Sequence, residues 1–290
     1  MAANPVAATQ ARPERRRVRI GELLRTSGRL TEIEVQRVLA HQTRANLRFG
    51  EAAVQLGLVT ADEVQRALAR QFNYPYVRRG DSNLSPMLVS AYQPFEPSAE
   101  AFRVLRSQLT LRWFDRGEKS LAIGSPRTGC GTSTLAANLA VSFAQLGERT
   151  LLIDANLRNP SQHWLFGVLA DSGLADVLVG RCVLEEAALE IESIERLAVL
   201  CAGPVPPNPH ELLSGRPLLH LLEHAQKLFS VIIVDTPASL DYADAQMICA
   251  RTGAYLTVTR RNQTRLAEVR AATARLAPTG AVMLGAVVND

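Results

Sequence analysis

Six short apolar runs limit what this chain can fold into: SLAIG at 120–124, TLLID at 150–154, LAVLCA at 197–202, VIIVD at 231–235, AYLTVT at 254–259 and VMLGAVV at 282–288. Each is strand-length, apolar on both faces, and separated from the next by a longer amphipathic stretch. Strands of this kind need cover on both sides. The pattern therefore predicts an α/β fold: a mostly parallel sheet with helices on both faces. A hydrophobic content of 47% excludes wholesale disorder. No stretch approaches the roughly 18 to 20 uninterrupted apolar residues of a membrane span, and the amino terminus lacks the apolar core of a signal peptide, which points to the cytoplasm.

The amino-terminal quarter is organised differently. Residues 19–42 (RIGELLRTSGRLTEIEVQRVLAHQ) and 48–71 (RFGEAAVQLGLVTADEVQRALARQ) are offset by 29 positions and share 12 of 24 residues. Each copy has a short apolar segment, a Gly, and a Thr at an N-cap position (Thr31, Thr60) with Glu three residues on (Glu34, Glu63). Apolar residues at helical spacing follow, so residues 19–73 read as a small all-helical module. Residues 1–18 read as a disordered basic tail, with Arg12, Arg15, Arg16 and Arg17 leading into Arg19. Contact with anionic lipid or a nucleotide is the alternative for that tail. Residues 74–97, rich in Pro, Ser and Tyr, read as a linker, leaving 98–290 for the α/β domain.

The first apolar run leads straight into SPRTGCGTSTLAANLA at 125–140. Gly129 and Gly131 let the backbone curl with its N–H groups inward, and the following helix adds free N–H groups and its positive end, which is a phosphate cradle. Ser133 is placed to offer its hydroxyl to Mg²⁺, as the Ser/Thr of G-x-x-x-x-G-K-[ST] does. Pro126, however, stands at the first Gly position and Thr132 at the lysine. The chain has only two lysines: Lys119 lies at the far end of the preceding apolar run and Lys227 after a distant helix, so neither is an obvious substitute. Any replacement cation is an arginine, with Arg127 the first candidate and Arg158 the second. Asp154 and Asp235 close two apolar runs and should emerge beside the loop, where carboxylates hold Mg²⁺ directly or through water. Capping of following helices is the alternative. Asn289, after the last run, is placed to contact a base.

Other signals are weaker. Cys130, Cys182, Cys201 and Cys249 form no C-x-x-C pair, which excludes a disulfide framework or cysteine zinc site. Cys130 reads as a space-filling thiol in a tight turn, with oxidation sensing the alternative. His220, Glu223 and His224 spell H-x-x-E-H, but no motif supplies a third ligand, so this reads as a surface helix. Trp113, Phe114 and Trp164 read as core or interface aromatics.

Together these residues resemble the bacterial tyrosine kinases of polysaccharide export, P-loop NTPase-like proteins related to the partitioning and division-site ATPases. The resemblance rests on the GTST loop end, LLIDANLRNP at 151–160, VIIVDTP at 231–237 and AGPVPPNPHELL at 202–213. It implies ATP held by Gly129, Cys130, Gly131, Thr132, Ser133, Thr134 and Asn289. Mg²⁺ is then held by Ser133, Asp154 and Asp235, and Asp154, Asn156 and Arg127 act in phosphoryl transfer. Glu100, Arg103 and Arg106 match the family's Glu-x-x-Arg-x-x-Arg helix, which implies ring-like self-association. The nearest subgroup is the EpsG type of chain-length-determinant kinase, matched by ALARQFNYPY and QLTLRWFD.

The helical module resembles the MshEN domain, which implies cyclic di-GMP binding through Arg19, Gly21, Gly28, Gln42, Arg48, Gly50, Gly57 and Gln71. A packed module that docks a partner is the alternative, and Ala52 and Ala53 in place of Leu23 and Leu24 shrink the second copy's apolar contact. The implied function is a cytoplasmic, ATP-binding, tyrosine-protein-kinase-like regulator of exopolysaccharide chain length or export. It would sit at the inner membrane through the cytoplasmic tail of a membrane-bound chain-length partner, self-associate, and bind no nucleic acid. The alternative is a weak or inactive scaffold, responsive to nucleotide or cyclic di-GMP, that controls assembly of the export machinery. Three departures bear on the choice: Thr132 for lysine, Asn156 for the second Asp of D-x-D, and five dispersed tyrosines (Tyr74, Tyr76, Tyr92, Tyr242, Tyr255) in place of a tyrosine-rich tail. Losing one positioned donor costs about 3 to 4 kcal/mol of transition-state stabilisation, so binding is expected to outlast turnover.

Overall fold

The computed structural model describes residues 19–71, 76–77 and 82–290; the basic tail and part of the 74–97 segment lie outside the described residues. The chain divides into two units, Met1–Tyr74 and Pro75–Asp290.

In the first unit the repeat becomes four helices, α1 (Ile20–Thr26), α2 (Glu32–Ala45), α3 (Phe49–Gln55) and α4 (Ala61–Gln71). Both expected capping boxes form: the Thr31 and Thr60 N–H groups donate to Glu34 and Glu63 at 2.7 and 2.9 Å, and each Thr hydroxyl accepts from the Glu N–H. The copies pack reciprocally, α1 on α4 and α2 on α3, so neither closes a core alone. Leu24, Val38, Ala52, Ala53 and Ala67 meet at the centre. This packing also accounts for the repeat glycines assigned above to ligand approach. A Cβ on Gly21 would press on the Phe49 ring and one on Gly50 would run into Val64, while Gly28 and Gly57, at φ +70° and +66°, end α1 and α3. The close approach at Gly21 and Gly50 is to the module's own side chains, whereas Gly28 and Gly57 face open space.

The second unit holds β1 (Ser120–Gly124), β2 (Thr150–Asp154), β3 (Ala188–Glu190), β4 (Leu197–Leu200), β5 (Val231–Asp235), β6 (Ala254–Arg260) and β7 (Val282–Asn289). Its helices are α5 (Val89–Tyr92), α6 (Pro97–Arg112), α7 (Thr132–Gln145), α8 (Gln162–Phe166), α9 (Leu174–Leu178) and α10 (Leu184–Ala187). They continue with α11 (Pro209–Ser214), α12 (Arg216–Leu228), α13 (Asp244–Thr252) and α14 (Leu266–Leu276). The seven strands run in the order β3-β4-β2-β5-β1-β6-β7, all parallel except β3, which pairs antiparallel with β4 and carries no apolar run of its own.

Alternate residues of one strand enter opposite cores. Leu121, Leu152 and Ile233 pack on the α7 side, and Ala122, Leu151 and Ile232 on the other. Of the stretch read as a linker, Leu84, Leu88 and Ala91 are buried in the α7-side core, and Asn138 of α7 binds the Ser90 N–H at 2.9 Å. The described part of that stretch is thus structured, because its scattered apolar residues cover one face of α7. Among the described residues no helix is long and apolar enough to cross a membrane. β1 lies where the strand order reverses, with β5 on one side and β6 on the other, so the loop after β1 opens at the crevice where doubly wound sheets bind ligands.

Candidate nucleotide and magnesium site

The loop between β1 and α7 takes the curled form its sequence demands. Gly129 and Gly131 sit at φ +89° and +83°, in the left-handed region, and α7 starts immediately after with Thr132. A Cβ on Gly131 would run into Asn289 Nδ2, and that amide donates to Cys130 O at 3.0 Å. Asn289, expected at the base, thus pins the end of β7 to the loop. Arg260 Nη1 donates to Gly129 O at 3.2 Å. Cys130 is buried, its Sγ 3.6 Å from Thr264 Oγ1, as a space-filling thiol would be. Thr132 is buried, and Ser133 and Thr134 are half-buried on the first turn.

Asp154 and Asp235 stand in register at the ends of neighbouring strands, both fully buried. Asp154 accepts from the backbone N–H groups of Ser161 and Gln162, each at 2.9 Å, and of Asn156 at 3.2 Å. Asp235 Oδ2 accepts from Gln162 Nε2 at 2.8 Å, while Oδ1 is buried without a formed hydrogen bond. Burial raises both carboxyls. For Asp154 the three N–H donors oppose it. For Asp235 the adjacent Asp154 charge reinforces it, and the group is pushed up to about 8 although the Ser133 hydroxyl and the Gln162 amide pull the other way. No Lys or Arg among the described residues pairs with either acid. Two buried like-charged acids beside a serine hydroxyl make a hard-oxygen donor set that fits Mg²⁺.

Both arginines expected to replace the lysine are already paired. Arg127 Nη1 lies 2.6 Å from Asp241 and Nε 3.2 Å from Glu268, and these two partners raise its pKa further. Arg158 Nε lies 2.6 Å from Asp244 Oδ2 and its guanidinium stacks 4.4 Å over Tyr242. Asp244, buried, also faces His210 Nδ1 at 3.1 Å. Lys119 is far from the loop along β1, donating to Gln226 O at 2.6 Å. Asn156 Oδ1 accepts from the Asn159 N–H at 3.2 Å and so closes a turn.

Gln162 was not singled out from sequence. Its only local signal is a position just past the loop that follows β2, where an N-terminal helix residue turns back toward the sheet.

On the α6 helix, Arg103 pairs with Glu100 and donates to Pro94 O, and Arg106 donates to Ser142 O at 2.7 Å. These three expected self-association residues have contacts within the chain. Trp113 is buried, with Nε1 donating to Ser120 O at 2.9 Å, and Phe114 meets Phe143 edge-on, whereas Trp164 is exposed. His224 Nε2 lies 2.6 Å from Glu185, and among the described residues no cluster of three or more His, Cys, Asp or Glu could hold a metal through those side chains alone.

Residues 119–238, which include the loop and both acids, match the model of the cellulose biosynthesis protein BcsQ. Over 208 residues the chain is 36% identical to the tyrosine-protein kinase YwqD of Bacillus subtilis, a match covering 72% of this chain and 87% of YwqD. The chain belongs to the bacterial tyrosine-protein kinase family. The family fold agrees: the kinase domain of Escherichia coli tyrosine kinase ETK superposes with a TM-score of 0.69 at 30% identity, covering 75% of this chain and 85% of that one. The septum site-determining protein MinD of Pyrococcus horikoshii, solved with Mg-ADP, superposes at 0.53 with 25% identity over 59% of this chain and 70% of its own.

Proposed function

We propose that this family member binds a magnesium nucleotide in the loop after β1. Gly129 to Thr134 cradle the phosphates, and Ser133, Asp154 and Asp235 hold the metal. The observation that carries the reading is the pair of buried, in-register carboxylates, with no Lys or Arg among the described residues paired to them, beside a loop whose backbone is already curled. Magnesium supplies charge neutralisation of the phosphates there; the chain supplies the amide cradle and the oxygen ligands. In this reading the protein is a tyrosine-kinase-like regulator of exopolysaccharide chain length or export, of the EpsG type. It works in the cytoplasm at the inner membrane, engages the tail of a membrane chain-length partner, and self-associates through the Glu100 helix. Isothermal titration with Mg-ATP tests the first step; no heat and no competition by ADP at millimolar concentration removes it.

A second reading, the nucleotide-responsive scaffold, has its own support in the ion-paired state of Arg127 and Arg158 and the turn-closing role of Asn156. Radiolabel transfer from ATP to tyrosine, with the partner tail supplied, separates the two: label in the parent means a kinase, label only in Thr132→Lys means a scaffold. For the MshEN-like unit, the glycines' roles in packing and turns leave Arg19, Arg48, Gln42 and Gln71 as the side chains that would hold cyclic di-GMP. Fluorescent cyclic di-GMP that stays free at tens of micromolar protein removes that ligand.

A further inference from the structure

We propose that Gln162 is a positioning residue of the magnesium site, joining its three ligand-bearing segments and presenting a buried amide oxygen to the metal's water shell. Gln162 is fully buried at the first position of α8. Its Nε2 donates to Ser133 O at 3.2 Å and to Asp235 Oδ2 at 2.8 Å, and its backbone N–H donates to Asp154 Oδ2 at 2.9 Å. One residue therefore touches the loop helix, the β2 acid and the β5 acid, which are 29, 8 and 73 positions away.

The orientation of the amide follows from these partners. Ser133 O can only accept, so the end facing it and Asp235 is the NH₂ group, which leaves Oε1 as the end still able to accept. That oxygen is buried and has no hydrogen-bond partner among the described residues. An amide oxygen can only accept, and the donor it lacks is of the kind a hydrated cation offers. Magnesium keeps several waters when protein-bound, and each polarised water seeks an outer acceptor. An exclusively structural glutamine would satisfy both ends of its amide in the protein.

The inference rests on the nucleotide-site reading, and the test separates the two. Using the full chain, ADP affinity is measured by titration with Mg²⁺ and with EDTA, and the ratio of the two is compared between the parent and Gln162→Met, which keeps the side chain's length without its polar atoms. Removal of an outer-shell partner typically weakens metal affinity about 10- to 100-fold. The ratio should fall by about tenfold or more while the EDTA affinity stays within about twofold. A change confined to packing would move both affinities together. If Gln162→Met fails to unfold cooperatively, Gln162→Asn, one methylene short of both acceptors, reads the same ratio. An unchanged ratio in a folded variant overturns the role of Gln162 alone. A parent that binds no ADP overturns the nucleotide site as well, and a parent that binds ADP equally with and without Mg²⁺ overturns the magnesium site and this role with it.

Discussion

The rim and the floor of the loop after β1 carry opposite charges and are compensated in opposite ways. On the rim, Arg127 is half exposed and held between Asp241 and Glu268, and Arg158 is held by Asp244. On the floor, Asp154 and Asp235 are 0% exposed and take their hydrogen bonds from N–H groups and the Ser133 hydroxyl, with no Lys or Arg among the described residues paired to them. With threonine at 132, the positive charge that a Walker-type loop puts beside its acids is missing here, and no rim arginine substitutes for it. On the proposed reading, the site would depend on a divalent cation for charge balance more than a lysine-bearing loop does. Changes on the floor should be large and changes on the rim small.

The largest effect is expected from Asp154→Ala. It leaves the N–H groups of Asn156, Ser161 and Gln162 without their acceptor at a fully buried position. At about 1 to 3 kcal/mol for each unsatisfied buried donor, the loss of unfolding free energy should reach about 3 kcal/mol or more. Urea unfolding measures it; a loss below about 1 kcal/mol would mean that water reaches those donors, and the contrast between floor and rim would collapse.

Thr132→Lys puts the charge back. A lysine here should raise phosphoryl transfer about a hundredfold, in line with the 3 to 4 kcal/mol carried by one positioned donor. It should also bring Asp235 down from its raised value, since a nearby cation favours the ionised acid. Transfer that stays unchanged would place the limiting defect elsewhere, with Asn156 the next position to restore.

The pH response follows from Asp235, raised from the ordinary 3.8 to about 8 by burial and the neighbouring acid. Between those values the folded chain holds a proton that the unfolded chain has released, so stability falls as pH rises from about 4 to about 8. Mg-ADP favours the ionised pair, so the gain in unfolding midpoint on adding it should grow over the same interval. Calorimetry across this range checks both slopes. Asp235→Asn should flatten the first and abolish the second.

The floor was legible in the sequence where local signals carry it. An apolar run closed by Asp places a carboxylate at a sheet edge, and a Gly-rich turn before an Ala-rich helix places the cradle beside it. The reach of Gln162 was not legible, because it depends on how α8 turns back onto strands that lie far away in the chain. The pairing of Arg127 was hidden for the same reason: Asp241 and Glu268 lie 114 and 141 positions from it. The strand β3 escaped notice because three residues at an antiparallel edge, two half-buried and one exposed, carry no apolar run. In the helical unit the repeat revealed the capped helices, but the reciprocal packing that uses Gly21 and Gly50 is a tertiary property.

The smallest effect is expected from Arg127→Ala. Arg127 is half exposed and its two acidic partners are partly exposed, and a surface pair of this kind is screened by water and salt. Removing the guanidinium frees Asp241 and Glu268, which stay hydrated and add negative charge at the rim. Mg-nucleotide affinity should change by no more than about twofold, the size of one screened surface charge, and the shift should shrink further at high salt. Asp241→Ala with Glu268→Ala completes the comparison: it releases Arg127 to approach the phosphates, and affinity should rise only if the arginine can serve as the missing lysine. A rise of tenfold or more in that double variant would show that the rim acids hold a competent cation away from the site, and the rim would then count as a regulator of the floor rather than a bystander.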